Sequence, residues 1–117
     1  MRLVAAIHTR VKAFPAYERY DLASQMRRAA KSVPANIAEG YARRWSVKEF
    51  RNYLRMAMAS ANEMEVHLKI AGELEYLPSA DAAQLAGEYG IVGRQLNRLI
   101  TNWRQLKPPA SSLQHRS

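Results

Sequence analysis

Nine residues between positions 27 and 55 carry the chemistry this sequence offers: Arg27, Arg28, Lys31, Arg43, Arg44, Trp45, Lys48, Arg51 and Arg55. Arg27, Arg28 and Lys31 fall on adjacent helical turns, and Arg43 and Arg44 close the same segment. Lys48, Arg51 and Arg55 follow at steps of three and four, which puts them on one helix face. Such a row of cations can track a phosphate backbone, where counterion release supplies affinity without base specificity. Trp45 can stack on an exposed base or, equally, anchor an interface or core. The charge is lopsided in the same direction: residues 1–60 hold 12 Lys or Arg against 4 Asp or Glu, and residues 61–117 hold 6 against 6. All of the net charge of +8 therefore sits in the first half, which favours a polyanionic partner over a surface that is basic only for solubility. Some arginines have acids to pair with instead, such as Glu63 or Glu65 for Arg55 and acids on another helix for Arg51.

Catalysis has no comparable constellation. His8, His67 and His115 are far apart, and only His67 has a carboxylate one turn away, in the sequence Glu63-Met-Glu-Val-His67. That is E-x-x-x-H, whereas di-iron bundles use E-x-x-H from paired helices; a solvated Glu–His pair is the expectation. There is no cysteine and no Gly-x-Ser-x-Gly elbow, so a nucleophile is lacking. No enzymatic activity, metal or cofactor is expected. Without cysteine no disulfide framework forms, and a reducing cytosol is the natural setting. The opening MRLVAAIHTRVK has too short an apolar run for a signal peptide or membrane span, so a soluble cytoplasmic chain is expected.

The elements that must position these residues are helices. Four apolar series recur at steps of three and four: Val4, Ile7, Val11, Phe14; then Met26, Ala30, Val33, Ile37, Gly40; then Phe50, Leu54, Ala57, Ala61, Met64, Leu68, Ala71; and last Leu85, Tyr89, Val92, Leu96, Leu99, Trp103, Leu106. No period-two alternation competes with them. Ser46 with Glu49 has capping-box spacing and starts the third helix near Val47. Ser79 is the expected cap of the fourth helix, with Asp81 placed against its positive end. Phe14 and Pro15 are expected to end the first helix, and Lys107, Pro108 and Pro109 the last, before a disordered tail over residues 108–117. Short connections near residues 15–17, 43–46 and 76–79 make sequential helices antiparallel neighbours.

The reading is thus an all-α, antiparallel up-down four-helix bundle over residues 1–107. Pro34 lies inside the second stripe and reads as a kink, freeing the carbonyl of Ala30, with Ser32 and Asn36 near enough to satisfy freed polarity. Gly40 admits a bulky side chain or another backbone. Gly87, Gly90 and Gly93 recur every third residue and leave a bare strip for close helix approach, within the bundle or from another subunit. Val47, Tyr53, Met56 and Met58 widen the apolar arc of the third helix beyond what one bundle needs, which favours oligomerisation.

Residues 24–71 carry a resemblance, most specifically R-R-A-A-x-S-V-P-A-N-I-A-E-G-Y-A-R-R followed by S-x-K-E-F. They resemble the bacterial four-helix-bundle family of proteins encoded in intervening sequences of 23S ribosomal RNA genes. They are also similar to the accessory variability determinant of diversity-generating retroelements. The resemblance spans all but the tail and implies a ring-forming homopentamer with a basic surface. For the retroelement relatives it also implies binding to a reverse transcriptase and nucleic acid. This chain departs from the pattern at Ala59, where relatives often have glycine before the serine, so the closest helix approach there is expected to be slightly wider.

The combined expectation is a non-enzymatic oligomer whose basic surface binds RNA or DNA, with a possible protein partner. A scaffold ring without nucleic-acid binding is the alternative. A helix-turn-helix reading of residues 36–54 is weaker, because the third helix is long, carries core residues throughout and follows a turn without glycine.

Overall fold

The computed structural model describes residues 1–103. It contains four α-helices, α1 (Arg2–Val11), α2 (Leu22–Ala42), α3 (Val47–Glu73) and α4 (Ser79–Asn102), with a 3-10 turn at Ala16–Glu18 and no strand among the described residues. α3 starts where its capping signal placed it: the Ser46 hydroxyl accepts a hydrogen bond from the backbone N–H of Glu49 at 3.3 Å. This satisfies one of the donors a helix start leaves open.

Specific contacts set the packing order. Gly40 of α2 abuts Phe50 and Tyr53 of α3, and the Ser60 hydroxyl is 2.8 Å from that of Ser32, so positions fall along α2 as they rise along α3. Between α3 and α4, Glu65 lies by Gly90 and Asn62 by Gly93. Arg10 pairs with Asp81 at 2.8 Å and Arg2 with Glu88, setting α1 against α4 in the same antiparallel sense. The helices therefore run up and down in chain order.

Helix length then divides the interior. α1 has 10 residues and α3 has 27, lengths of about 15 and 40 Å at 1.5 Å per residue. At the end that α1 reaches, Leu3, Ile7 and Val11 join Met26, Val33, Met64, Leu68, Leu85 and Tyr89 in the larger core. At the other end Phe50, Leu54 and Ala57 of α3 meet Leu96 and Ile100 of α4, with Ile37 of α2 packed against them. Trp103 closes that cluster by stacking on Phe50, ring centroids 4.1 Å apart.

Several faces and boundaries depart from the sequence expectation. α1 stops at Val11, and Phe14 is buried from the connection rather than from the helix. Leu3, not the half-buried Val4, begins the α1 stripe, giving a straight ridge of Leu3, Ile7 and Val11. On α4 the core step after Leu96 goes to Ile100, leaving Leu99 43% exposed; an ideal helix drifts against a strict seven-residue repeat, so a fourth-residue step must enter. Ser79 is not the cap. Pro78 holds that position without a side-chain bond, and Ser79 is the first helical residue. Asp81 does lie in the first turn, opposite Arg10. α4 as described ends at Asn102, with Trp103 as its C-cap; the stop expected at residues 107–109 and the tail over 108–117 lie outside the described residues.

α2 is helical from Leu22 to Ala42 with Pro34 inside it. The Asn36 amide donates to the carbonyl and the hydroxyl of Ser32, both at 2.9 Å, so its polarity goes to Ser32 rather than to Ala30. The bare strip on α4 is used unevenly. A Cβ at Gly93 would lie 3.3 Å from Asn62 and one at Gly90 3.5 Å from Glu65, whereas one at Gly87 would meet nothing within 4 Å. Among the described residues no helix is long and apolar enough to cross a membrane.

Candidate nucleic-acid interface

The turn between α2 and α3 is short and tightly bonded, Arg44 N–H donating to the Tyr41 carbonyl at 3.2 Å and Ser46 N–H to that of Arg43 at 3.0 Å. It delivers Arg43, Arg44 and Trp45 at the C-terminal end of α2, where cations oppose the negative helix end. Arg43 sits over the Tyr53 ring, 5.3 Å from its centroid, and 3.6 Å from Glu39. Its bond to Tyr53 holds the guanidinium above the usual arginine range. Arg44 donates to the Tyr41 carbonyl at 3.0 Å. Its guanidinium lies 4.2 Å from the Tyr41 ring centroid and 4.4 Å from that of Trp45. Trp45 is half-buried, between the two roles its sequence allowed.

The other cations do not all join this cluster. Arg27 turns to the connection after α1, donating to the Arg19 carbonyl at 3.0 Å. Arg28 instead lines a groove between α2 and α3 with Ser32, Ser60 and Glu63. Lys31 is exposed, so the α2 trio shares one side of the helix but its members turn to different surroundings. Lys48 and Arg55 are exposed on α3, Arg55 donating to Asn52 at 3.3 Å rather than to Glu63 or Glu65.

Arg51 has a different task. Its Nη2 donates to the Trp103 carbonyl at 2.6 Å, and its Nε is buried without a partner, as is the Trp103 indole N–H. It clamps the C-terminus of α4 onto α3 and is not presented to solvent as Lys48 and Arg55 are.

Carbonyls and rings thus hold Arg27, Arg44 and Arg51, and such contacts orient a guanidinium without cancelling its charge. Among the described residues, the ion pair at these nine positions is Arg43 with Glu39. Two cations escaped the sequence reading. Arg94 and Arg98 line a polar groove between α3 and α4 with Asn62, Glu65 and Asn97. Their spacing of four on one helix was a visible signal, masked by the balanced charge of the second half of the chain.

His67 is buried rather than solvated, its Nε2 3.1 Å from a Glu63 carboxylate oxygen and its Nδ1 without a partner. Among the described residues no group of three or more His, Asp or Glu is disposed to hold a metal ion.

The profile of the 23S rRNA-intervening sequence protein family matches residues 1–98, the greater part of the chain and all of its helical core as far as Arg98. No curated protein matches it.

Proposed function

From the premise that this chain belongs to the 23S rRNA-intervening sequence protein family, we propose that it is a non-enzymatic, oligomeric accessory protein that binds RNA phosphates. The contacts come from the basic residues of α2, α3 and the turn between them. The observation that carries this reading is the state of the cations. Arg44 is half-buried and Lys48 and Arg55 are exposed, and no ion pair among the described residues neutralises them. The family name points to ribosomal RNA as the polyanion.

Salt tests the reading. Affinity for RNA should fall as salt rises, each phosphate contact adding about −0.7 to −0.9 to the slope of log K against log salt. Replacing Arg43, Arg44, Lys48 and Arg55 with glutamine should weaken binding and flatten that slope with the fold intact. Undetectable binding at low salt, or binding indifferent to salt, refutes it.

Assembly belongs to the same proposal, in the form of a homopentameric ring. Its support is a second, short apolar stripe at the C-terminal end of α3, where Val66, Ile70 and the C-cap Leu74 are solvent-exposed at steps of four. Val66 and Ile70 lie on the far side of the helix from the buried Ala57, Ala61, Met64, Leu68 and Ala71. α4 adds exposed Ile91 and Leu99. Exposed apolar side chains aligned in this way favour association. Light scattering should return a multiple of the 13.3 kDa chain, and Val66→Lys with Ile70→Lys should reduce it to the monomer. The same stripe is what favours the second reading, a scaffold ring that forms but leaves RNA unbound.

A bend of α2 is the remaining part of the proposal. Pro34 has no N–H to give to Ala30, and the Asn36 side chain supplements the bonding on the turn around it. Straightening by Pro34→Ala should move the Ser32–Ser60 contact, visible as changed amide shifts on both helices.

A further inference from the structure

The last turn of α2, where it enters the connection to α3, holds an exposed aromatic residue that phosphate binding alone does not use. Tyr41 is 58% exposed, although the Arg44 guanidinium already lies over its ring at 4.2 Å. That guanidinium is fixed from several sides. It donates to the Tyr41 carbonyl at 3.0 Å and lies 4.4 Å from the Trp45 centroid. The arrangement is a ring, a cation and a second ring, built across a turn whose backbone is itself hydrogen-bonded. Arg43 and Lys48 flank it in sequence.

Two physical consequences follow. A flat cation against an aromatic face at an exposed site contributes only about 0.5–1 kcal/mol, too little to make the tyrosine a structural anchor. The larger part of the Tyr41 surface stays in water, next to a charge that a phosphate would seek. Nucleobases have apolar faces and are joined to phosphates, so they match both halves of this surface. In a duplex those faces are stacked on each other and closed to a side chain; in a single strand they are open.

Resting on the RNA-binding reading above, we propose that this turn is a stacking platform selecting unpaired nucleotides. A base lies on the Tyr41 ring while its phosphate meets the Arg44 and Arg43 guanidinium edges. The ligand class is single-stranded nucleic acid, and Tyr41 is the residue that distinguishes it from a duplex.

Three probes of equal length and phosphate count test this by fluorescence anisotropy on the full chain: an adenine-rich single-stranded RNA, the same backbone without bases, and an RNA duplex. The native protein should bind the base-bearing strand most tightly. Tyr41→Ala should weaken that probe by roughly five- to hundredfold, leave the abasic strand and the duplex within about twofold, and leave the salt slope unchanged. Tyr41→Phe, which keeps the ring, should restore the affinity. Equal binding of base-bearing and abasic strands by the native protein overturns the platform while phosphate binding stands. An equal loss for all three probes in Tyr41→Ala also overturns it, since Tyr41 would then act only by placing Arg44. Absence of salt-dependent binding to any probe overturns the underlying RNA-binding reading, and the platform with it.

Discussion

Replacing Gly40 with alanine sets two known effects against each other at one point of contact. In a helix interior alanine is favoured over glycine by about 1 kcal/mol, so on propensity alone the variant should be more stable. The packing opposes this. A Cβ at position 40 would lie 3.1 Å from the Tyr53 Cβ and 3.3 Å from the Phe50 carbonyl oxygen. Neither atom can swing away by a rotamer change, because one is backbone and the other is bonded to it. Relief requires α2 and α3 to separate by tenths of an ångström along their whole contact, and overpacking of this kind costs about 1–3 kcal/mol. The net expectation is a loss of about 1 kcal/mol, with up to about 2 where the helices resist moving. Gly87→Ala is the reference, since its Cβ meets nothing within 4 Å and should show the propensity gain alone. The two variants should then differ by about 2–3 kcal/mol, or roughly 8–12 °C in melting midpoint for a domain of this size. Urea and thermal melts must be run at one protein concentration, because association adds to apparent stability. If Gly40→Ala melts together with Gly87→Ala above the native protein, the close approach of α2 and α3 is not as described and the reasoning fails.

Arg51→Ala should cost about 1–3 kcal/mol by leaving the Trp103 carbonyl without its charged donor, whereas Lys48→Gln should stay within about 0.5 kcal/mol; urea midpoints compare them, and equal midpoints would return Arg51 to the binding surface. Tyr89 tests the larger core. Its hydroxyl is buried without a partner, and burial, helped by the charge of Glu88, pushes the phenol up to about 12. The unfolded chain ionises from about pH 10 while the folded chain still holds the proton, so stability should fall as pH rises through that window. Tyr89→Phe should flatten part of this alkaline limb and be neutral or slightly stabilising at pH 7. Tyr76, also raised by its hydrogen bonds to Tyr17 and Glu18, keeps its own share. An unchanged alkaline limb in Tyr89→Phe would place the hydroxyl in water.

Which residues meet which was the harder part of the site to read. Nine cations and aromatics were visible as a cluster in sequence, but their fates diverged through contacts with distant chain. Arg51 is claimed by a carbonyl 52 residues away, and Arg27 turns back to Arg19 while Arg28 faces α3. Tyr41 was legible only as an aromatic in a basic stretch; its value lies in the exposure that the turn leaves it.

By itself the amino-acid sequence determined four helices, the start of α3 at Ser46 and Val47, and the apolar members of the buried stripe from Phe50 to Ala71, though not His67, which is buried among them. These depend on side chains within a few turns of one another, where apolar period and capping chemistry act locally. Only tertiary structure decided that α1 flanks one end of the interior and Trp103 closes the other, and that Arg51 is a clamp while Arg44 remains a charged ring partner. Those outcomes depend on which surfaces and carbonyls the distant segments bring, and no local period encodes that.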